Sequence, residues 1–216
     1  MNVALLHLCD SLFPIGSFAY SDGLESATSD GRVASADDLR AWIDVCLDET
    51  IRRMDGPAVW QAWMAACESD WPALDVLDEE LNALRPSSAG RTSSRAMGQR
   101  LLTTWSALYG TQPFPEATAH ALPVAFAVVC AGRDIERRDS VEAYAYTRLA
   151  ATVSAAMRLI SIGQTEAHAL LARTLDRVPA VVDDIARRDA RIESFTPALD
   201  IATMTQQHLP SRLFRT

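Results

Sequence analysis

The sequence predicts an all-α protein, a single-domain bundle of about eight to eleven helices over residues 1–216. Two observations carry that prediction. Apolar residues recur at helical spacing along nearly the whole chain, and no alternating β-branched run is bounded by Asn-Gly or Asp-Gly turns. Hydrophobic residues make up 49%, enough apolar material for a packed core.

The elements follow in order. Ser35 with Asp38 three residues on reads as a capping box with Asp in place of Glu; Leu39, Trp42, Ile43, Cys46, Leu47 and Met54 continue an apolar face behind it. Pro57 starts the next helix, which carries Val59, Trp60, Trp63, Met64 and Cys67. Pro72 opens another, with Leu74, Leu77, Leu81 and Leu84 at spacings of three, four and three. Later helices are expected at 93–109, 115–131, 140–162, 164–176, 179–191 and 197–207, with Pro123 kinking or interrupting its helix.

Composition excludes several chemistries. The net charge is −8, which argues against a general nucleic-acid binder. All 20 basic residues are arginine, so lysine Schiff bases and P-loop phosphate cradles are ruled out. Charge is uneven: residues 1–84 hold 4 Arg against 16 acids, net −12, and residues 85–216 hold 16 against 12, net +4. The cysteines Cys9, Cys46, Cys67 and Cys130 form no CxxC pair and are expected as buried reduced thiols. The N-terminus lacks a basic signal-peptide region, and no apolar stretch approaches the ~18 residues of a membrane helix. A soluble, cytoplasmic protein is expected.

Catalytic and metal patterns are scarce. His7, His120, His168 and His208 show no HxxxH or HExxH spacing, and a single chain is not expected to hold a transition metal tightly. Asp183, Asp184 and Asp189 resemble the aspartate-rich motif by which all-α prenyltransferases hold diphosphate through magnesium. That alternative needs a second such motif, and none is present. Arginine-paired aspartates on a solvated helix face are the simpler reading.

Three segments depart from the amphipathic pattern. Leu12 to Ser21 is apolar but broken by Pro14 and Gly16, which makes it a structured loop expected at a protein–protein surface. Arg85 to Arg100 holds four arginines, five Ser or Thr and no acid. The tail, residues 209–216, ends on a Leu213-Phe214 pair flanked by Arg212 and Arg215. It either folds back on its own core or docks into a partner, and docking is the expectation.

Together these segments carry a resemblance. Leu5 to Glu25, with Asp10-Ser11, Pro14, Gly16, Phe18, Ser21 and Gly23-Leu24-Glu25, resembles the opening of UreF-type urease accessory proteins, LLQLxDSxxPxGxFxxSxGLE. Arg91 to Leu102 is similar to that family's RxxSxxMGxxLL helix, Leu159 to Gln164 to its KLxPxGQ junction, and Ser211 to Thr216 to its closing SRLFRS. The chain differs at Gln206-Gln207-His208-Leu209-Pro210, where the family commonly has His-Glu-x-Gln-Tyr, and at Ala89, near a usual acid.

The resemblance implies a non-catalytic, cofactor-free, dimeric all-α protein. It would bridge a UreD/UreH scaffold and the GTPase UreG during nickel delivery to the urease apoprotein. It implies partner-binding roles for Pro14, Gly16, Phe18, Tyr20, Ser21, Gly23, Glu25, Ser211, Arg212, Leu213 and Phe214. Phe18, Leu213 and Phe214 are the expected anchors, and Arg212 the expected carboxylate clamp.

Overall fold

The computed structural model describes residues 2–110 and 120–215. The described residues form eleven α-helices: α1 (Val3–Leu8), α2 (Leu24–Ser29), α3 (Ala36–Val45), α4 (Gly56–Glu68), α5 (Trp71–Leu84), α6 (Ser88–Tyr109), α7 (Leu122–Ala131), α8 (Arg137–Leu159), α9 (Gln164–Leu175), α10 (Val178–Arg187) and α11 (Pro197–Gln206). A 3₁₀ turn covers Ser17–Ala19, and a π-helical segment, Cys46–Asp55, joins α3 to α4. There is no strand among the described residues, only a parallel bridge between Tyr20 and Arg215. Nor is any helix among them long and apolar enough to cross a membrane.

The centre of the bundle is α7. Every residue from Leu122 to Cys130 is buried, as a helix that is apolar all round must be. It packs against α4, α5, α6 and α8, and the buried apolar side chains form one contiguous cluster. The approach to α6 is close: a Cβ on Gly98 would run into the backbone of His120 and Ala121. The predicted Leu74, Leu77 and Leu81 stripe of α5 is buried, and the Ser35–Asp38 capping box forms reciprocally.

Several expectations are corrected. Pro123 does not kink a helix; it occupies the first turn of α7, where its missing N–H costs nothing. The 115–119 part of the expected 115–131 helix lies outside the described residues. α6 begins at Ser88, five residues earlier than expected, because the Ser87 hydroxyl accepts the Gly90 N–H at 3.1 Å. α10 stops at Arg187 instead of 191, because Asp189 and Ala190 turn to φ 54° and 50°. Cys67 is exposed, whereas Cys130 is buried and Cys9 and Cys46 are half-buried.

The Arg85–Arg100 segment is largely structural. Arg85 pairs with Asp55, Arg91 donates to the carbonyls of Arg85 and Pro86, and Arg95 pairs with Asp78. The aspartate-rich stretch is likewise occupied by arginines: Asp183 binds Arg138, and Asp184 binds Arg52 and Arg187. Those pairings remove the free carboxylate pair that the diphosphate reading requires.

Candidate partner-binding surface

The N-terminal loop and the C-terminal tail meet and clasp each other. Gly16 stands at φ 77° beside the Arg100 guanidinium, and this left-handed residue turns the chain into Ser17–Ala19. Beyond it the loop runs alongside the tail: the Arg215 N–H donates to the Ala19 carbonyl at 2.7 Å, next to the Tyr20–Arg215 bridge.

Two side chains lock this pairing from opposite ends of the sequence. Glu25, buried in α2, accepts the Leu213 N–H at 2.5 Å and the Phe214 N–H at 3.2 Å, one on each carboxylate oxygen. Gln206, buried at the end of α11, accepts from the Ser21 hydroxyl at 2.9 Å and the Gly23 N–H at 3.0 Å; its amide donates to the Arg215 carbonyl at 3.2 Å. A hydroxyl pair, Ser26 and Thr205 at 2.7 Å, adds a third tie. Gly23 is required: its φ is 88°, and a Cβ there would meet the Thr203 backbone N at 2.7 Å.

Arg158 of α8 completes the clasp. Its guanidinium lies over the Phe214 ring at 4.3 Å and donates to the Phe18 carbonyl at 3.1 Å. Phe214 is only 4% exposed. The expectation that Phe214 is a free partner anchor is therefore corrected: its ring packs into its own chain, because Glu25, Gln206 and Arg158 together satisfy the tail. Ser21, Gly23 and Glu25 are buried in the same clasp, Gly16 is buried, and Tyr20 is half-buried.

What the clasp leaves outside is different in kind. Phe18 is 69% exposed and Leu213 is 63% exposed, although each is chain neighbour to a locked residue. Pro14, Ser211 and Arg212 are also exposed, as is Leu12. Beside Phe18 a groove of about 90 Å³ runs between the N-terminal segment and α8, lined by Phe13, Ile15, Tyr146 and Ala151. Rigid backbone carrying exposed large apolar side chains is the composition of a docking face. Gln206 and Arg158 were missed by sequence reasoning. The available signal was Ala202 and Gln206, four apart on the buried face of α11.

Among the described residues no three His, Cys, Asp or Glu side chains group closely enough to hold an ion. Burial pushes the Cys9 thiol up to about 11, and those of Cys46 and Cys130 up to about 12, which keeps them protonated and poor ligands. His208 is exposed on the approach to the tail.

Fold and surface thus define a helical-bundle protein with a self-clasped tail and an exposed apolar turn. The family model for UreF matches residues 33–175. The chain is 30% identical to the urease accessory protein UreF of Methylobacillus flagellatus, an alignment covering 99% of this chain and 96% of the relative. It is 32% identical to that of Pseudomonas fluorescens (98% and 97% covered) and 28% to that of Microcystis aeruginosa (99% and 96%). The chain belongs to the UreF family of urease accessory proteins.

Proposed function

We propose that this chain is a nickel-insertion chaperone without catalytic activity of its own. It works in the cytoplasm as a homodimer, bridging a UreD/UreH scaffold and the UreG GTPase while nickel, as cargo, passes to the urease apoprotein. The observation that carries this reading is the contrast at the clasp: Phe214 is buried while Phe18 and Leu213, anchored on the same locked backbone, stay in solvent. A pre-ordered apolar pair loses little conformational entropy on binding, which favours a protein partner. Residues 209–216 then serve as a docking tail, in which 213–215 are already held before the partner arrives. The arginine-rich balance of residues 85–216 suits an acidic partner surface.

The test is co-expression with the scaffold and the GTPase, followed by size-exclusion chromatography. Wild-type protein should co-elute with both. Phe18→Asp combined with Leu213→Asp should abolish scaffold co-elution while leaving the isolated chain helical. An intact complex with that double variant would overturn the assignment of the docking face.

A further inference from the structure

An open trough of about 590 Å³ lies between α4 and the turn that joins α7 to α8. Arg137 opens α8 and Arg158 lies in its last turn, so along that helix the trough is about 30 Å from the clasp. Trp60, Met64 and Cys67 follow one another at helical spacing on the outer face of α4, with Trp63 beside them. Met64 is 41% exposed and Cys67 is exposed, so the described residues leave this part of the face in solvent.

The wall is ordered in advance. The Trp63 indole N–H donates to the Ile135 carbonyl at 2.8 Å, which fixes the ring against the turn. The turn is closed by the Asp134 N–H on the Ala131 carbonyl at 3.2 Å and the Ile135 N–H on the Cys130 carbonyl at 3.1 Å. A wall held in this way gives up little conformational entropy when it is covered.

Its charge is negative in excess. Glu68, Asp134 and Glu136 line the trough, all three are exposed, and none forms an ion pair among the described residues. Arg137 is the only basic residue among the described lining, and it is already engaged: its guanidinium lies 4.0 Å over the Trp60 ring and 5.9 Å from that of Trp63. The Cys67 thiol registers the same field. Burial raises its pKa first, Asp134 and Glu68 add to the rise, and Arg137 opposes it.

An acidic rim around a floor of indole and thioether selects its occupant. It repels a phosphodiester backbone and anionic lipid headgroups. Among the described residues Cys67 and the three carboxylates do not group closely enough to hold a metal ion. A small free amine would leave Met64 and Trp63 uncovered. Arginine fits, because its planar guanidinium stacks on indole, as Arg137 does on Trp60, and its fork pairs with carboxylates.

We propose that this trough is a second protein-docking site. Its occupant is a basic segment of another protein, which lays an arginine among Glu68, Asp134 and Glu136 and an apolar side chain on Trp63 and Met64. The trough is separate from the face that presents Phe18 and Leu213, and it stands or falls independently of that face.

The experiment uses the isolated full-length chain and two end-blocked synthetic peptides, one alternating leucine with arginine, the other leucine with glutamate. Cys67 is the reporter, because it is exposed while Cys130 is buried and Cys9 and Cys46 are half-buried. Its alkylation by N-ethylmaleimide is followed by mass spectrometry as peptide is added. The arginine peptide should slow that alkylation saturably, and the glutamate peptide should not. Neutralising the rim with Glu68→Gln, Asp134→Asn and Glu136→Gln together should raise the dissociation constant by about fivefold or more, the ratio expected of three solvated ion pairs. Glu79→Gln with Glu80→Gln, at exposed acids of α5, should leave it unchanged. Circular dichroism checks that the rim variant folds. If it does not, Met64→Ser decides, because it strips the apolar floor at an exposed position; a weaker constant supports the site and an equal one overturns it. No protection by the arginine peptide, equal protection by the glutamate peptide, or equal constants for wild type and the folded rim variant overturn the proposal. Protection that grows with chain concentration in the absence of peptide would make the occupant a second copy, and overturns it as well.

Discussion

The Glu25 carboxylate holds the backbone of Phe214 across 189 residues of sequence, accepting its N–H at 3.2 Å and that of Leu213 at 2.5 Å. A buried carboxylate with two peptide donors is satisfied on both oxygens, and the tail amides lose their exposure to water. Residues 213–215 are thus part of the fold.

Glu25→Ala should therefore release the tail. Hydrogen bonds to a charged group contribute about 1.5–3 kcal/mol each, and loss of the pair leaves two peptide donors without partners. A cost of about 3–6 kcal/mol corresponds to a drop of roughly 6–24 °C in Tm for a chain of this size. Differential scanning calorimetry checks the drop, and trypsin cleavage after Arg212 should become fast in the variant. An unchanged Tm with a protected tail would show that Glu25 is not the clasp.

How far the sequence displays this arrangement depends on the range of the interaction. Local signals were legible: the Ser35–Asp38 cap, the Leu74–Leu77–Leu81 stripe, and the apolar run that becomes α7 all depend on neighbours within about a turn or two of helix. The π-helical register was not legible, because Cys46, Leu47 and Met54 fit a continuing α pattern as well. What distinguishes the two is the Gly56 bond to Ile51, five residues back. The loop and tail stood out as unusual, but the partner of Phe214 is the chain itself, through Arg158 in another helix and Glu25, 189 positions away. Asp184 was read as paired with arginine, but that its partner is Arg52, 132 residues away, was not legible for the same reason.

Phe18 and Leu213 separate docking from folding. Both side chains are mostly in solvent, so Phe18→Ala and Leu213→Ala should each change stability by no more than about 0.5 kcal/mol. Phe214→Ala, by contrast, removes a buried ring and should cost about 3–5 kcal/mol. Urea unfolding midpoints measure both effects. Scaffold affinity should fall for Phe18→Ala and Leu213→Ala despite their unchanged midpoints. A midpoint loss at Phe18 as large as at Phe214 would place Phe18 in the core.

The Asp55 network should respond asymmetrically to the removal of its members. Burial, with the adjacent Asp55 carboxylate, holds the Tyr144 phenol well above its ordinary pKa, so it remains a donor at neutral pH. Tyr144→Phe deletes one donor to a charged group, worth about 1.5–3 kcal/mol. Asp55→Ala leaves Arg85 charged and without its anion among buried neighbours, a change worth about 3–5 kcal/mol. Chemical denaturation of the two variants should rank them in that order. The reverse order would mean that Asp55 is not the centre of the network.

His120 sets the last expectation, a pH dependence on the acidic side of neutrality. It is 2% exposed at the start of the α7 approach, with Nε2 3.7 Å from Asp75 and Nδ1 3.9 Å from Asp78. Burial lowers its pKa; Asp78 and Asp75 pull the other way without reversing the shift, and Arg95 adds to the lowering. The folded protein therefore favours neutral imidazole, while the unfolded chain takes up its proton near about pH 6.5. Below that value the unfolded state binds more protons, so stability from this group is complete above about pH 6.5 and is lost as pH falls toward the folded pKa. Asp184, lowered chiefly by its hydrogen bond from Arg52, acts in a separate window, since its contribution is lost only as pH falls through the carboxylate range. Melting curves from about pH 7.5 to pH 5 should show a Tm decline in the wild type that is smaller in His120→Gln, whose side chain stays neutral throughout. An equal decline in both proteins would assign the acid sensitivity to some other group.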